Sequence, residues 1–243
     1  MTLTARPWLI AVLLSLLALS PAHAGMTPQE VEMFKDAKAW AEKGEAEGQL
    51  NLGICYTKGE GVAKDDVQAV AWFRKAAVQG FAPAQTLLGN CYFGGEGVPK
   101  DQALAVTWYR KAAEKGLAEA QYVLGSRYAD GKGVEKDFVQ AVKWYRKASE
   151  QGYVLAQYNL GGCYANGEGV AKDQIEAYAY WNQGTVEYAR KKLAALEKQM
   201  TAEQIAAGKK RTKELKRELE DKIYENALQK EFAARIAEKP DRK

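Results

Sequence analysis

Histidine is almost missing from this chain: one occurs in 243 residues, at position 23. Once an expected leader of 24 residues is removed, no imidazole remains for general-base chemistry or for a zinc site. Serine is nearly as scarce beyond that point. Only Ser126 and Ser149 are left, followed by Arg127-Tyr128-Ala129 and Glu150-Gln151-Gly152, so no Ser-x-x-Lys nucleophile motif exists. Paired-carboxylate catalysis is the option these absences leave open. The longest apolar run, Trp8 to Leu19, is about twelve residues and is closed by Pro21. A membrane-spanning helix needs roughly 20, so none is expected after the leader is cleaved.

That short run has a different meaning. Arg6 ahead of it and Ala22-His23-Ala24 behind it complete the anatomy of a secretory signal, with cleavage after Ala24. Gly25 follows, so the route that lipidates a cysteine after the cleavage point is closed. A periplasmic or secreted protein is expected, with residues 1–24 absent from the mature form.

The net charge of +4 is small and uneven. Residues 187–243 hold sixteen Lys/Arg against eleven Asp/Glu, whereas residues 25–186 are near −2. A faintly acidic body with a basic tail is not a nucleic-acid footprint, and no nucleic-acid partner is expected.

What is abundant is repetition. Four lines align without a gap at 44–79, 80–115, 116–151 and 152–185, a period of 36 residues. Each reads as two antiparallel helices. In the first, Gln49, Leu52, Gly53 and Tyr56 share one face of helix A, and Ala69, Trp72, Phe73 and Ala76 one face of helix B. The loop between them holds Gly59 and Gly61, suited to positive φ at a helix end, and Asp65 stands where an N-cap belongs. Gly53, Gly89, Gly125 and Gly161 lie inside helices, where glycine costs about 1 kcal/mol against alanine. Paid four times, that cost suggests a close backbone approach.

The pattern A-x-A-Q-x-x-L-G-x-x-Y-x-x-G-x-G-V-x-x-D-x-x-x-A-x-x-W-Y-x-K-A-A resembles the Sel-one-like repeat family, relatives of tetratricopeptide repeats, over residues 44–185. The fourth unit departs from it. Tyr180-Trp181 replaces Trp-Tyr, and Asn182-Gln183-Gly184-Thr185 replaces the Arg-Lys-Ala-Ala ending, which points to a terminating repeat. The resemblance implies an all-α fold, a right-handed α-solenoid of antiparallel helix pairs, acting as a protein-interaction scaffold without enzyme activity or cofactor. Cysteine-rich relatives have been linked to β-lactam hydrolysis, so a hydrolase of β-lactam or wall substrates is the alternative; a subunit of an envelope or polysaccharide-export assembly is another.

Positions that vary between units are free for something other than shared packing. On helix A they form a stripe, from which the candidate partner-binding residues are Glu47, Asn51, Ile54, Lys58, Leu87, Asn90, Val123, Ser126 and Asn159, with Tyr122 and Tyr158 at the edge. Two readings stand: the lining of a concave groove for a protein or peptide, or a merely solvated face. The aromatic pairs Trp72-Phe73, Trp108-Tyr109 and Trp144-Tyr145 recur unchanged in place and are read as core.

Cys55, Cys91 and Cys163 share one repeat position. Equivalent helices of neighbouring units pack roughly 8–10 Å apart, whereas a disulfide wants Cα atoms within about 7 Å. Three free buried thiols are expected, with a Cys55–Cys91 bridge as the rival.

At the ends, residues 25–43 are expected to hold a capping helix, Pro28 to Lys43, with Met33, Phe34, Ala37 and Trp40 facing the first repeat. Residues 186–243 are expected to form a cap, with Ala189, Leu193 and Leu196 inward, and then a helix opened by Thr201-Ala202-Glu203-Gln204 as a capping box. Along this last helix Leu215, Leu219, Ile223, Leu228, Phe232 and Ile236 hold no 3.5-residue seam, so a coiled coil is not expected. It is either a solvated extension or, through its basic stretch Lys209 to Arg217, a contact for an anionic envelope component.

Overall fold

The computed structural model describes residues 26–184 and 187–237, with the side chains of all but 230 and 233–237. The expected leader and its cleavage point fall outside these residues. The described elements are helices: α1 Pro28–Glu42, α2 Ala46–Lys58, α3 Asp66–Val78, α4 Ala82–Gly94, α5 Gln102–Glu114, α6 Ala118–Asp130, α7 Phe138–Ser149, α8 Val154–Asn166, α9 Gln174–Gln183, α10 Glu187–Glu197 and α11 Ala202–Ala237. They fall into two compact units that meet between Asp101 and Gln102. In the first unit α1 packs on α2, α2 on α3 and α3 on α4. In the second, α5 to α9 pack each on the next, and α10 and α11 both pack on α9. The all-helical fold of sequential helix pairs with a long C-terminal helix is thus as the pattern implied. No described helix is long and apolar enough to cross a membrane.

The glycine-rich loop does two jobs. Its first glycine ends helix A in the left-handed region, as at Gly59 (φ 76°), whose N–H donates to the Cys55 carbonyl at 2.8 Å. Its second glycine has positive φ and also lies against the start of the preceding second helix. A Cβ on Gly97 would collide with the Asp66 carbonyl, one on Gly133 with that of Gln102, and one on Gly169 with that of Phe138. Asp65, Asp137 and Asp173 then cap the next helix, accepting from Gln68, Gln140 and both Ile175 and Glu176 backbone N–H groups.

Gly61 meets the Glu30 carbonyl in the same way. Glu30, Asp66 and Gln102 are spaced by 36 residues, so α1 takes the place that the second helix of a unit takes elsewhere. This corrects the expected orientation of α1. Ala37 and Ala41 are buried against α2, and Phe34 meets Tyr56 edge-on at 5.8 Å, but Met33 and Trp40 are 44% and 51% exposed. Small residues face inward because the contact is tight: a Cβ on Gly48 would run into the Trp40 Cβ and the Ala41 nitrogen.

The helical glycines face rings first and backbone second. An added Cβ would lie 2.5 Å from Phe73 at Gly53, 2.7 Å from Tyr145 at Gly125 and 2.7 Å from Trp181 at Gly161; the Ala69 and Ala141 carbonyls follow at 3.1 and 3.2 Å. The second aromatic of each pair is therefore core. The first is only partly so: Trp144 is buried, but Trp72 and Trp108 are half-buried, and the lysine three residues on covers each ring, Lys75 at 3.6 Å from the Trp72 centroid and Lys111 at 4.3 Å from that of Trp108. Other constant residues fasten neighbours together. Arg74 donates to the Tyr92 hydroxyl at 2.7 Å, Arg110 to Tyr128 at 2.9 Å and Arg146 to Tyr164 at 3.1 Å. The buried amides of Gln85 and Gln121 donate to the carbonyls of Ala77 and Ala113 near the end of the preceding helix.

In the fourth unit the second helix forms but is shorter, ten residues against thirteen for α3 and α5. Trp181 occupies the ring site on Gly161 and donates its indole N–H to the Tyr158 carbonyl at 3.0 Å. Ala189 and Leu196 of α10 are buried beside Tyr178 and Trp181, with Leu193 packed against that cluster.

The long helix α11 starts with the expected capping box, Thr201 and Gln204 each bonding the other's backbone N–H. It is not simply a solvated extension. Gly208 admits the ring of Tyr178, Thr212 and Leu215 are buried, and Arg211 pairs with Glu176 at 2.7 Å and Glu218 at 2.8 Å. Burial opposes the charge on Arg211, yet these carboxylates hold its pKa above the usual arginine value. Lys222 reaches Glu150 at 2.9 Å. Past it, Ile223, Tyr224, Leu228 and Phe232 stand in solvent.

Candidate functional site

The stripe residues of the first unit converge on two adjoining clefts. One, about 610 Å³, lies between α1 and α2 and takes in Asn51, Ile54 and Lys58 together with Met33, Ala37 and Trp40. The other, about 360 Å³, lies between α2 and α4 above the start of α3. Ile54, Lys58, Leu87 and Asn90 line it, with Phe73 and Cys91 beside them and Asp66 and Glu96 also on its wall. Glu47 is exposed and lines neither cleft. Met33, Trp40 and the acids Glu32 and Asp36 of α1 were not among the expected site residues. The signal that could have found them is the 36-residue offset that makes α1 a second helix.

In the second unit the stripe residues are engaged rather than open. The Tyr145 hydroxyl donates to Ser126 Oγ at 3.3 Å and also hydrogen-bonds with the Asn159 side chain. Burial pushes the Tyr145 pKa up to about 12, against those two bonds. Tyr122 sits between Tyr145 and Tyr153, at 6.1 and 5.1 Å between ring centroids, and Tyr158 meets Tyr188 edge-on at 4.5 Å. Val123 is half-buried in the same row.

The variation along the stripe therefore has an internal cause. Where the core ring is Tyr145, its hydroxyl is met by Ser126 and Asn159; where it is Phe73, the equivalent positions are Ile54 and Leu87. A buried hydroxyl without a partner costs about 1–3 kcal/mol, and each environment matches its own ring. Phe73→Tyr is accordingly expected to destabilise by about 1–3 kcal/mol, and Tyr145→Phe by less, because half-buried Ser126 and Asn159 can turn to water. Urea unfolding of both variants measures this; equal losses would refute the matching.

The remaining chemistry is quiet. Cys55, Cys91 and Cys163 are free and buried, which removes the Cys55–Cys91 bridge from this structure. Burial raises all three thiol pKa values, those of Cys91 and Cys163 to about 11, so they stay protonated and unreactive near neutrality. Ser149 donates to the Arg146 carbonyl at 2.8 Å, and Ser126 Oγ lies 3.3 Å from the Tyr145 hydroxyl that donates to it. Among the described residues no three His, Cys, Asp or Glu side chains gather as metal ligands would.

Comparison with known proteins agrees with this architecture. The Sel1 repeat matches residues 46–81, 82–117, 118–153 and 154–184. Among solved structures, the chain is similar to c5321, a protective antigen of uropathogenic Escherichia coli strains displaying an SLR fold, at 36% identity and a TM-score of 0.72, over 81% of this chain and 43% of that one. It therefore spans less than half the length of that antigen. A Sel1 repeat protein from Oxalobacter formigenes is similar at 33% identity and a TM-score of 0.65, over 76% of this chain and 84% of that one. No curated protein matches.

Proposed function

The chain belongs to the Sel1 repeat family, and from that membership we propose that it is an exported scaffold that captures a protein or peptide along the first helices of its repeats. The family is one of helical scaffolds, usually without catalytic activity. Export is supported by the leader anatomy of residues 1–24. The observation that carries the capture reading is the cleft between α2 and α4. Its apolar wall of Ile54, Phe73 and Leu87 beside Lys58, Asp66 and Glu96 has room for one large apolar side chain, with charges at hand to select its neighbours.

A photo-crosslinking residue placed at Leu87 is expected to capture a protein partner in intact cells, identified by mass spectrometry. The same residue at Val78, which is 69% exposed on α3 and lines neither cleft, serves as control. Equal capture at both sites, or adducts with wall polymer alone, would overturn the reading.

The anionic envelope contact extends the proposal to α11, where Lys209, Lys210, Lys213 and Lys216 are all exposed. Deleting residues 208–243 is a poor probe of it, since Thr212 and Leu215 are buried. Replacing the four lysines by glutamine keeps the helix and removes the charge.

A further inference from the structure

A cavity of about 260 Å³ lies where the fourth repeat meets α11, and it shares no residue with the clefts of the first unit. Tyr180 lines it. This residue is only 8% exposed, and its hydroxyl has no hydrogen-bond partner among the described residues. A buried hydroxyl left without a partner is costly, so the group calls for an acceptor from outside the chain.

The hydroxyl is peculiar to this unit. In the unit before, Arg110 donates to Tyr128, and the ring at the position equivalent to Tyr180 is Trp144. Here Arg146 donates to Tyr164 at 3.1 Å, and Tyr180 stacks on Tyr164 with 5.7 Å between ring centroids. Burial holds the Tyr180 pKa above the usual tyrosine value, so the hydroxyl keeps a proton to donate. The acceptors on the wall are already engaged. Glu176 and Glu218 are paired with Arg211 at 2.7 and 2.8 Å, and Glu150 with Lys222 at 2.9 Å. Arg146 has no carboxylate partner among the described residues. The cavity therefore has a surplus of donors, one of them charged.

We propose that this cavity binds a small organic monocarboxylate, whose oxygens accept from the Arg146 guanidinium and the Tyr180 hydroxyl while its body lies against Leu215 and Leu219 of α11. Charge agrees with this. An adjoining hollow of about 420 Å³ shares Arg146 and Glu150 and adds Lys143 and Lys147, so the two together present five cationic side chains against three carboxylates. Hydrogen bonds to a carboxylate are roughly twice as strong as those between neutral groups, so an acid outcompetes its amide here. A second negative charge on the ligand would meet Glu176 and Glu218, which disfavours dianions. Size limits the body to one ring or a short chain, because the cavity falls just below the roughly 300–1,000 Å³ of sites for drug-sized ligands. The site is independent of partner capture at Leu87, and either can fail without the other.

The test is an NMR titration of the full chain with acetate, lactate and benzoate, each against its own amide. At least one acid should bind saturably and more tightly than its amide. Tyr180→Phe removes only the unpartnered hydroxyl, so it should fold with an unchanged or higher melting midpoint and bind that acid roughly tenfold more weakly. Arg146→Gln should weaken it by a similar factor, whereas Arg110→Gln, the same substitution one repeat earlier, should leave binding unchanged. Three results would each overturn the proposal: no acid binding more tightly than its amide, Tyr180→Phe binding as the wild type does, or Arg110→Gln weakening binding as much as Arg146→Gln. A lowered melting midpoint in Tyr180→Phe would overturn it too, by showing that the hydroxyl serves the fold.

Discussion

Gly133→Ala is expected to lower the thermal midpoint by roughly 10 °C, and Gly116→Ala by about 4 °C, although both glycines have positive φ, +76° and +89°. The common part is the strain of placing an L side chain in the left-handed region, about 1–2 kcal/mol. At Gly116 nothing lies within 4 Å of the added Cβ, so strain is the whole cost. At Gly133 the Cβ would enter the carbonyl of Gln102, and its third neighbour, the Gln102 Cβ, is only 3.0 Å away. Backbone cannot rotate aside as a side chain can. Either the loop lifts or α5 moves, and overpacking of this kind adds about 1–3 kcal/mol. At about 2–4 °C per kcal/mol for a protein of this size, the two substitutions separate clearly in a melting experiment. Similar midpoints would show that the loop does not press on the preceding helix as the structure places it.

The period, the loop glycines and the capping aspartates were legible because each is settled by residues near in sequence. Asp65 caps α3 through a bond only three residues long, and Gly59 closes α2 on Cys55. What was misjudged depends on distant partners. The face of α1 follows from Gly61, thirty-one residues after Glu30, so its own apolar spacing placed Phe34 and Ala37 correctly but added Met33 and Trp40, which are exposed, and passed over Ala41, which is buried. Ser126 and Asn159 vary between repeats, and variation alone looked like freedom. Their bonds to the Tyr145 hydroxyl, 19 and 14 positions away, show that the variation follows the ring. In the first unit, where Phe73 lacks that hydroxyl, Ile54 and Leu87 remain at a cleft, so the candidate site survives there in altered form.

The irregular apolar stripe of α11 has the same kind of explanation, and it leads to the second large effect. The stripe has no single period because the helix has two environments. Gly208, Thr212 and Leu215 face α9 at spacings of four and three, whereas beyond Lys222 the described large apolar side chains, Ile223, Tyr224, Leu228 and Phe232, are exposed. A protein ending at Ile223 is therefore expected to melt within about 2 °C of the full chain, since Tyr224, Leu228 and Phe232 are exposed. One ending at Ala207 loses the burial of Leu215, about 2–3 kcal/mol, and uncovers Tyr178 and Tyr180, each of comparable worth. It also leaves Glu176 without the Arg211 guanidinium. Lys222 and Glu150 are each more than 40% exposed, so their pair adds under 1 kcal/mol. The sum is roughly 6–9 kcal/mol, a fall of about 12 °C or more, together with new binding of a dye that reports exposed apolar surface. If both truncations melt alike, residues 208–222 do not support α9. If the shorter one alone is destabilised, truncation at Ile223 is also the clean way to remove the exposed apolar side chains of α11 while keeping the fold that carries the clefts.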